Sequence, residues 1–170
     1  MVTPYLLLLA ALAAERIFEL WLSRRNARLQ KARGAVEAGA GHFPAMALIH
    51  TLFLASCALE GSRRPFPGAV GVAALVVALL SQALRYWAIH TLGPRWNVRV
   101  LVVPGDPPIA RGPYRYLHHP NYVAVAAEMV SVPLIHGAWV TALVFSALNA
   151  AVLSVRIRVE NRALGYSHGG

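Results

Sequence analysis

The chain has 170 residues, 57% of them hydrophobic and only 14% charged, whereas soluble domains usually carry about a quarter charged residues. Few compact soluble folds could bury so much apolar side chain, so the composition favours a membrane protein over a soluble domain. The single cysteine, Cys57, excludes an internal disulfide framework.

The formal net charge of +9 is concentrated beside apolar segments. Basic residues fill the stretch 24–33 after the first apolar run, and Arg156, Arg158 and Arg162 close the last one. This arrangement is typical of the cytoplasmic flanks of membrane helices. Zinc-finger spacing and aromatic-rich basic strands are both missing, so nucleic acid is not an expected partner.

Five apolar segments follow one another along the chain, at about 3–22, 44–60, 68–92, 120–135 and 138–164. A spanning helix needs about 20 apolar residues, which the first and third segments supply. The fourth is short and carries Pro133 near its end. The His136-Gly137 turn after it predicts that the last two segments form a helical hairpin, which spans the bilayer or penetrates part of it.

These segments predict an all-α fold, a polytopic integral membrane protein of about five transmembrane helices. We expect a single membrane domain, 1–170, with three helices in 1–92 and a second region, 93–164, that contains a basic loop and the hairpin. The loops at 23–43 and 93–119 are strongly basic, as is the C-terminus. The positive-inside rule therefore places the N-terminus outside and the second loop and the C-terminus in the cytosol.

Several ionisable residues lie within the apolar segments, where each costs a few kcal/mol (about 3) unless it is paired or hydrated. Glu15 and Glu19 share one face of the first helix, and Arg85 lies well inside the third segment. Two interpretations stay open. Arg85 pairs with one of these glutamates between helices, or the group lines a polar cavity inside the bundle.

The stretch RGPYRYLHHPNY, residues 111–122, places arginines, histidines and tyrosines between two apolar segments. Pro120 suits the first turn of a helix, so His118 and His119 lie at the entrance of the fourth helix. Free backbone N–H groups at this end favour an anion. Adjacent histidines point apart on a helix, and no cysteine or nearby carboxylate completes a ligand set, so no metal site is expected.

A second polar stretch, RIRVENRAL at 156–164, ends the last apolar segment. Arg156 and Glu160 are four residues apart and share one helical face. Such a pair is often an ordinary exposed salt bridge. The predicted hairpin, however, returns this stretch beside 114–122, so the two polar stretches together supply an arginine, a carboxylate and several tyrosines.

The pair of motifs HHPNY and ENRAL resembles the signature of the isoprenylcysteine carboxyl methyltransferase family, which is Arg-His-Pro-x-Tyr followed by Glu-Glu-x-x-Leu. The resemblance covers about 93–164, with His118 in place of the arginine and Asn161 in place of the second glutamate. In the N-terminal half, ERIFELWLSRRN, GAVEAGAGHFP and MALIH resemble the small bacterial branch of this family. That branch is similar to alkylpyrone and alkylresorcinol O-methyltransferases, which are associated with type III polyketide synthases.

The resemblance implies a methyltransferase of the bacterial cytoplasmic membrane that uses S-adenosylmethionine (SAM) as cofactor and methylates an oxygen of a lipid-like acceptor. The acceptor would be a lipophilic small molecule that enters from the membrane lipid, most simply a polyketide-derived alkylpyrone or alkylresorcinol. The implied catalytic residues are Arg156, which would orient the acceptor, and His118, which with His119 is a candidate base. The implied cofactor-binding residues, in part on a cytosolic loop, are Arg99, Asp106, Ile109, Tyr114, His119, Pro120, Asn121, Tyr122 and Glu160.

Three alternatives remain at this point. A carboxyl methyltransferase acting on isoprenylcysteine or a similar lipophilic carboxylate would match the better-known branch of the family. A membrane reductase is the second, because similar helical hairpins occur in sterol-reductase-like enzymes that use a nicotinamide cofactor. The third is a small non-enzymatic membrane scaffold whose arginines only fix its topology.

Overall fold

The computed structural model describes residues 2–39 and 42–165 and contains the five expected helices. They are α1 (Val2–Ala32), α2 (His42–Gly61), α3 (Ala69–Leu92), α4 (Pro120–Leu134) and α5 (Trp139–Leu164). Their order and approximate positions confirm the all-α prediction. Short 3-10 turns at Gly93–Arg95 and Gly112–Arg115 shape the long connection between α3 and α4.

Helix α1 is ten residues longer than the predicted apolar segment, because it continues from 22 to Ala32 through residues assigned to a basic loop. That extension, SRRNARLQKA, is rich in strong helix formers. Its buried face carries Ser23, Asn26 and Gln30, which are polar and therefore invisible to a search for apolar periodicity.

A two-stranded antiparallel sheet was not anticipated from the sequence. Strand β1 (Val36–Ala38) pairs with β2 (Val100–Val102), and Glu37 lies opposite Leu101. The pairing ties the segment between α1 and α2 to the connection between α3 and α4. The sheet therefore joins the two halves of the chain beside the ends of α1 and α5.

The last two helices form the predicted hairpin. Helices α4 and α5 pack against each other and are joined by residues 135–138, where Gly137 adopts a positive φ of 67°. Glycine accommodates this backbone without strain. Helix α4 also packs along α3, so it lies inside the bundle with most of its surface covered.

Three helices are long and apolar enough to cross a membrane, over Phe43–Gly61, Ala69–Arg95 and Trp139–Leu164. Leu80 and Leu143 on two of them are 65% and 75% exposed, as expected for side chains that face lipid. Helix α4 has 15 residues, about 22 Å, which is shorter than the hydrocarbon core of about 30 Å. Helix α1 is continuous, but charged residues at 15, 16 and 19 interrupt its apolar sequence. The fold is that of an integral membrane protein, and five complete spans remain a prediction.

The apolar core lies at the end of the bundle opposite the long loop. Tyr5, Cys57, Met129 and Val132 are buried there, and the Tyr5 hydroxyl donates to the Val132 carbonyl at 3.2 Å. This end is closed by side-chain packing. The opposite end, where α1, α4 and α5 meet the loop, is polar.

Candidate active site

A polar cleft opens where the long loop meets the start of α4 and the end of α5. Its inner part is lined by Leu92, Trp96, Asn97, Arg99, Tyr114, His119, Asn121, Tyr122, Arg156 and Glu160. Its outer part continues past Arg95, Leu101, Asp106, Pro108, Ile109, Tyr114, His118, Glu160 and Leu164. The two polar stretches predicted to meet, 114–122 and 156–164, therefore lie in the same cleft.

Pro120 fixes the entrance of α4. It is the first residue of that helix, is fully buried, and is not among the residues that line either part of the cleft. Its ring occupies a position where the missing N–H is no loss. Pro120 therefore presents Asn121 and Tyr122 at the start of α4, and the cofactor contact that the resemblance implies for it stays a prediction.

Tyr122 links the two important side chains of α5. Its hydroxyl accepts a hydrogen bond from Arg156 Nε at 2.7 Å and donates to the Glu160 carboxylate. Burial, together with the adjacent Glu160 carboxylate, raises the pKa of the Tyr122 phenol well above its ordinary value. The phenol therefore stays protonated and keeps Glu160 in place as an acceptor facing the cleft.

Arg156 is buried although it carries a charge. Its guanidinium donates to Tyr122 and to the Val98 carbonyl, lies 2.8 Å from Met46 Sδ, and stacks over the Tyr122 ring at 5.3 Å. These contacts hold the charge at one point between α2, α4 and the loop. The ordinary exposed salt bridge with Glu160, left open by the sequence, is not what forms.

His119 packs against the same tyrosine and closes the cleft. Its ring stacks on Tyr122 with centroids 5.2 Å apart, Nε2 lies 2.8 Å from Asn161 Oδ1, and Nδ1 lies 3.9 Å from Glu160. Asn161, which stands where the family signature has a second glutamate, thus contacts the signature histidine. His118 is exposed and lines only the outer part of the cleft.

The remaining predicted residues lie at the rim. Arg99 lines the inner cleft, pairs with Glu37 at 3.0 Å and stacks over Phe43 at 5.0 Å. Asp106 lines the outer part but is already paired with Arg33 at 3.0 Å. Ile109 lies beside it in the outer part.

An apolar cavity of about 400 Å³ lies directly behind the cleft, mainly between α1, α2 and α5. Its apolar lining comes from Ala13, Ile17, Leu20, Phe43, Met46, Ala47, Leu54, Trp96, Val98, Val125, Val152 and Leu153. Trp96, Asn121, Tyr122 and Arg156 line both the cavity and the cleft, and so form their common wall. Asn121 Oδ1, in that wall, is buried and has no hydrogen-bond partner among the described residues.

The ionisable groups inside the bundle form one network beside this cavity. Arg85 Nε donates to Glu128 at 2.9 Å and Nη1 to Glu19 at 3.4 Å, while Arg16 bridges Glu19 at 2.8 Å and Glu15 at 3.0 Å. The first interpretation of the charged residues, pairing between helices, is therefore correct, whereas the cavity beside them is mainly apolar rather than polar. Arg16, Glu19 and Arg85 also line the cavity.

The extension of α1 holds the loop that carries Trp96. The Asn26 amide donates to the Trp96 carbonyl at 2.8 Å and to the Gly93 carbonyl at 3.2 Å, and Gln30 donates to the Pro94 carbonyl at 3.1 Å. Sequence reasoning missed these residues. The signal that could have found them is the spacing of Ser23, Asn26 and Gln30, which lie three and four residues apart on one helical face of α1.

The part of the chain with described coordinates contains no group of three or more histidine, cysteine, aspartate or glutamate side chains that could hold a metal ion. The inner part of the cleft offers the Glu160 carboxylate, the phenols of Tyr114 and Tyr122, the His119 imidazole and the buried Arg156 guanidinium. Such groups recognise a polar molecule and orient an oxygen atom, and the adjoining cavity suits an apolar one.

Comparison with known proteins agrees with this arrangement. The model of the isoprenylcysteine carboxyl methyltransferase (ICMT) family matches residues 73–166, which include both polar stretches. YpbQ of Bacillus subtilis, described as an uncharacterized protein, is 40% identical over 161 residues, 93% of this chain and 95% of its own. A Haemophilus influenzae protein, also described as uncharacterized, is 25% identical over 162 residues, 92% of each chain.

Proposed function

Because the chain belongs to the isoprenylcysteine carboxyl methyltransferase family and is therefore a membrane methyltransferase, we propose that it transfers a methyl group from SAM to an oxygen of a lipid-like acceptor. The observation that carries this proposal is the wall shared by the polar cleft and the apolar cavity. A polar methyl donor on one side and a lipophilic acceptor on the other would meet at Asn121, Tyr122 and Arg156.

The cleft has a donor and acceptor set that suits SAM. Glu160, held by Tyr122, can accept hydrogen bonds from ribose hydroxyls or from the ammonium group, and Tyr114 and His119 lie beside it. Asn121 Oδ1 offers an unpartnered acceptor in the common wall. When bound, SAM supplies an electrophilic methyl group on a sulfonium sulfur.

The residues of this chain would contribute mainly positioning and the exclusion of water, which are the major needs of methyl transfer. Arg156 faces the cavity with a charge fixed by Val98, Tyr122 and Met46. It would orient an acceptor oxygen toward the wall and stabilise negative charge on it. Tyr122 would separate the Arg156 guanidinium, on the cavity side of the wall, from the Glu160 carboxylate on the cleft side.

The acceptor that we favour is a polyketide-derived alkylpyrone or alkylresorcinol, as the resemblance of the N-terminal half implies. The cavity supports this class because its lining is mostly apolar and includes the buried guanidinium of Arg156 in the wall. A type III polyketide synthase would supply such a molecule. The basic residues of the loop and of α5 support placing this end of the bundle in the cytosol, where SAM is available.

A lipophilic carboxylate is the second candidate, and Arg156 favours it because a guanidinium binds carboxylates well. The two candidates give different products. A carboxylate yields a methyl ester, which mild base cleaves, whereas a hydroxyl yields a stable methyl ether. The scaffold and reductase alternatives draw no support from the family match.

The decisive experiment incubates membranes containing the protein with methyl-labelled SAM and a panel of alkylresorcinols, alkylpyrones and prenylcysteines. Mass spectrometry would detect labelled lipid, and base treatment would classify the bond. We expect a base-stable label on a hydroxylated acceptor. Label on none of the panel, beyond membranes without the protein, would refute the proposed acceptor classes.

A further inference from the structure

The proposed function leaves one chemical requirement unassigned, because a neutral hydroxyl must lose its proton when it is methylated. Neither histidine expected to serve as base lines the apolar cavity. His119 has its ring nitrogens beside Asn161 and Glu160 on the cleft side, and His118 lies in the outer cleft. The proton acceptor must therefore be sought among the residues of the cavity itself.

His50, in the middle of α2, is a histidine that lines this cavity. Its Nδ1 lies 2.9 Å from the Met46 carbonyl oxygen, one turn earlier in the helix. A carbonyl oxygen only accepts hydrogen bonds, so Nδ1 carries the hydrogen and Nε2 of the neutral ring carries a lone pair. Within 2–39 and 42–165, no hydrogen bond to Nε2 is formed.

His50 and Arg156 are placed so that both side chains can contact one polar head group of the acceptor. Arg156 contacts Met46, and His50 lies four residues farther along α2, about 6 Å deeper in the bundle. Both side chains line the same cavity, one near the wall and one below it. A hydroxylated ring oriented by Arg156 is therefore within reach of His50.

The charges around His50 determine what becomes of the proton after transfer. The ion network beside the cavity contains three carboxylates, Glu15, Glu19 and Glu128, and two guanidiniums, Arg16 and Arg85, and the guanidinium of Arg156 in the wall brings the formal charge of these groups to zero. Arg16, Glu19 and Arg85 line the cavity with His50. The guanidiniums of Arg16, Arg85 and Arg156 around the cavity disfavour a lasting imidazolium, so the proton accepted by the ring must leave it before the next turnover.

We propose that His50 accepts the proton of a weakly acidic, phenol-like hydroxyl on the acceptor. This inference rests on the proposed function. The O–H bond breaks and its proton moves to Nε2, while an oxygen electron pair forms the bond to the methyl carbon. The methyl–sulfur bond breaks with its electron pair remaining on sulfur as a thioether, and the imidazolium later releases its proton to water.

The first test measures binding in the absence of SAM. The probes are a 5-alkylresorcinol and its dimethyl ether, titrated by calorimetry into the detergent-purified protein. We expect the wild type to prefer the resorcinol by about tenfold, as one hydrogen bond of roughly 1.4 kcal/mol predicts. His50→Leu should lose this preference, and His50→Gln, which retains an acceptor oxygen, should keep part of it. An unchanged preference in His50→Leu would overturn the proposal.

The second test measures turnover with acceptors of different acidity. Both His50 variants should lose about 100-fold or more in kcat with the alkylresorcinol, within the range for a general base. With an acidic alkyl-hydroxypyrone, which arrives ionised, they should stay within about threefold of the wild type. His90→Gln, a matched change at an exposed position at the end of α3, should leave both rates unaltered.

The outcomes separate this inference from the proposed function. Equal losses with both acceptors, or none, would refute the role of His50 while leaving the methyltransferase intact, as would a wild type that methylates only carboxylates. A wild type that methylates none of these probes would refute the proposed acceptor class. The binding comparison would then still decide whether His50 contacts a hydroxyl.

Discussion

The phenol of Tyr122 donates a hydrogen bond to the carboxylate of Glu160, across 38 positions of the chain. This contact joins the first turn of α4 to the end of α5 and fixes a negative charge in the polar cleft. The same hydroxyl accepts from Arg156. One oxygen atom thus organises the groups to which we assign the methyl donor and the acceptor.

Removing the phenol oxygen of Tyr122 should weaken SAM binding without unfolding the protein. In Tyr122→Phe the ring still stacks on His119, but Glu160 and Arg156 lose their common partner. We expect an affinity loss of about tenfold, the size of one or two hydrogen bonds of roughly 1 kcal/mol each. Calorimetry with SAM in detergent measures this directly. Wild-type affinity would show that the link is dispensable.

Arg156→Ala should cripple methylation and leave SAM affinity within a few-fold of wild type. The guanidinium faces the apolar cavity, where it would orient the acceptor oxygen. Arg158→Ala, an exposed arginine on the same helix, is the control and should behave as wild type in both measurements. A large loss of SAM affinity in Arg156→Ala would place this residue in the donor site instead.

Glu160→Gln should show the opposite pattern, with SAM affinity reduced about tenfold or more. A neutral amide cannot match the charge of the SAM ammonium group, and charge-assisted hydrogen bonds are roughly twice as strong as neutral ones. Glu60→Gln, at the other end of the bundle where it accepts from Thr141, should not alter SAM binding. Matching losses of SAM affinity in Arg156→Ala and Glu160→Gln would contradict the division of labour between them.

Removing one charged partner from the buried ion network should lower the stability of the protein. Arg85→Met leaves Glu128 without its main partner and removes a second guanidinium from Glu19, which keeps its contact with Arg16. An uncompensated buried charge typically costs about 3–5 kcal/mol. We expect a markedly lower thermal midpoint in detergent. Arg28→Met, an exposed change on α1, should not shift it. Restored stability in Arg85→Met with Glu128→Gln would confirm the cause, whereas an unaltered midpoint in Arg85→Met would refute it.

Asn26→Ala should loosen the loop that carries Trp96. The substitution removes two hydrogen bonds to loop carbonyls, and both carbonyls lose the amide of Asn26 as donor. Hydrogen exchange across residues 93–100 should become faster, and acceptor affinity should fall, because Trp96 forms part of the wall. Exchange that is unchanged in this segment would mean that other contacts hold the loop.

The overall helical plan and the meeting of the two polar stretches could be predicted because each leaves a local trace. Apolar runs mark the helices, Pro120 marks the start of α4, and the turn at 136–137 makes α4 and α5 neighbours. The spacing of Arg156 and Glu160 then places both side chains near that start. These inferences need only the periodicity of apolar residues, the residue preferences of turns, and the distribution of basic residues beside membrane helices.

What could not be predicted depends on packing between distant segments. The C-terminal end of α1 is hidden because its buried face bonds the loop rather than burying apolar surface: Asn26 and Gln30 donate to backbone carbonyls, and Ser23 donates to the Asn97 side-chain oxygen. The sheet between β1 and β2 consists of two three-residue strands, too short to give a strand pattern. His50 looks like an isolated polar residue in an apolar helix until the cavity beside it is seen.

The wall of Trp96, Asn121, Tyr122 and Arg156 has a consequence for the kinetics of the reaction. Under the proposed function, compartments of opposite polarity on its two faces would let a water-soluble donor and a lipid-soluble acceptor bind without competing for space. Neither ligand has to leave before the other arrives, so the steady-state rates should follow a ternary-complex law with random order of addition. The demethylated donor should then inhibit competitively against SAM and only noncompetitively against the lipid.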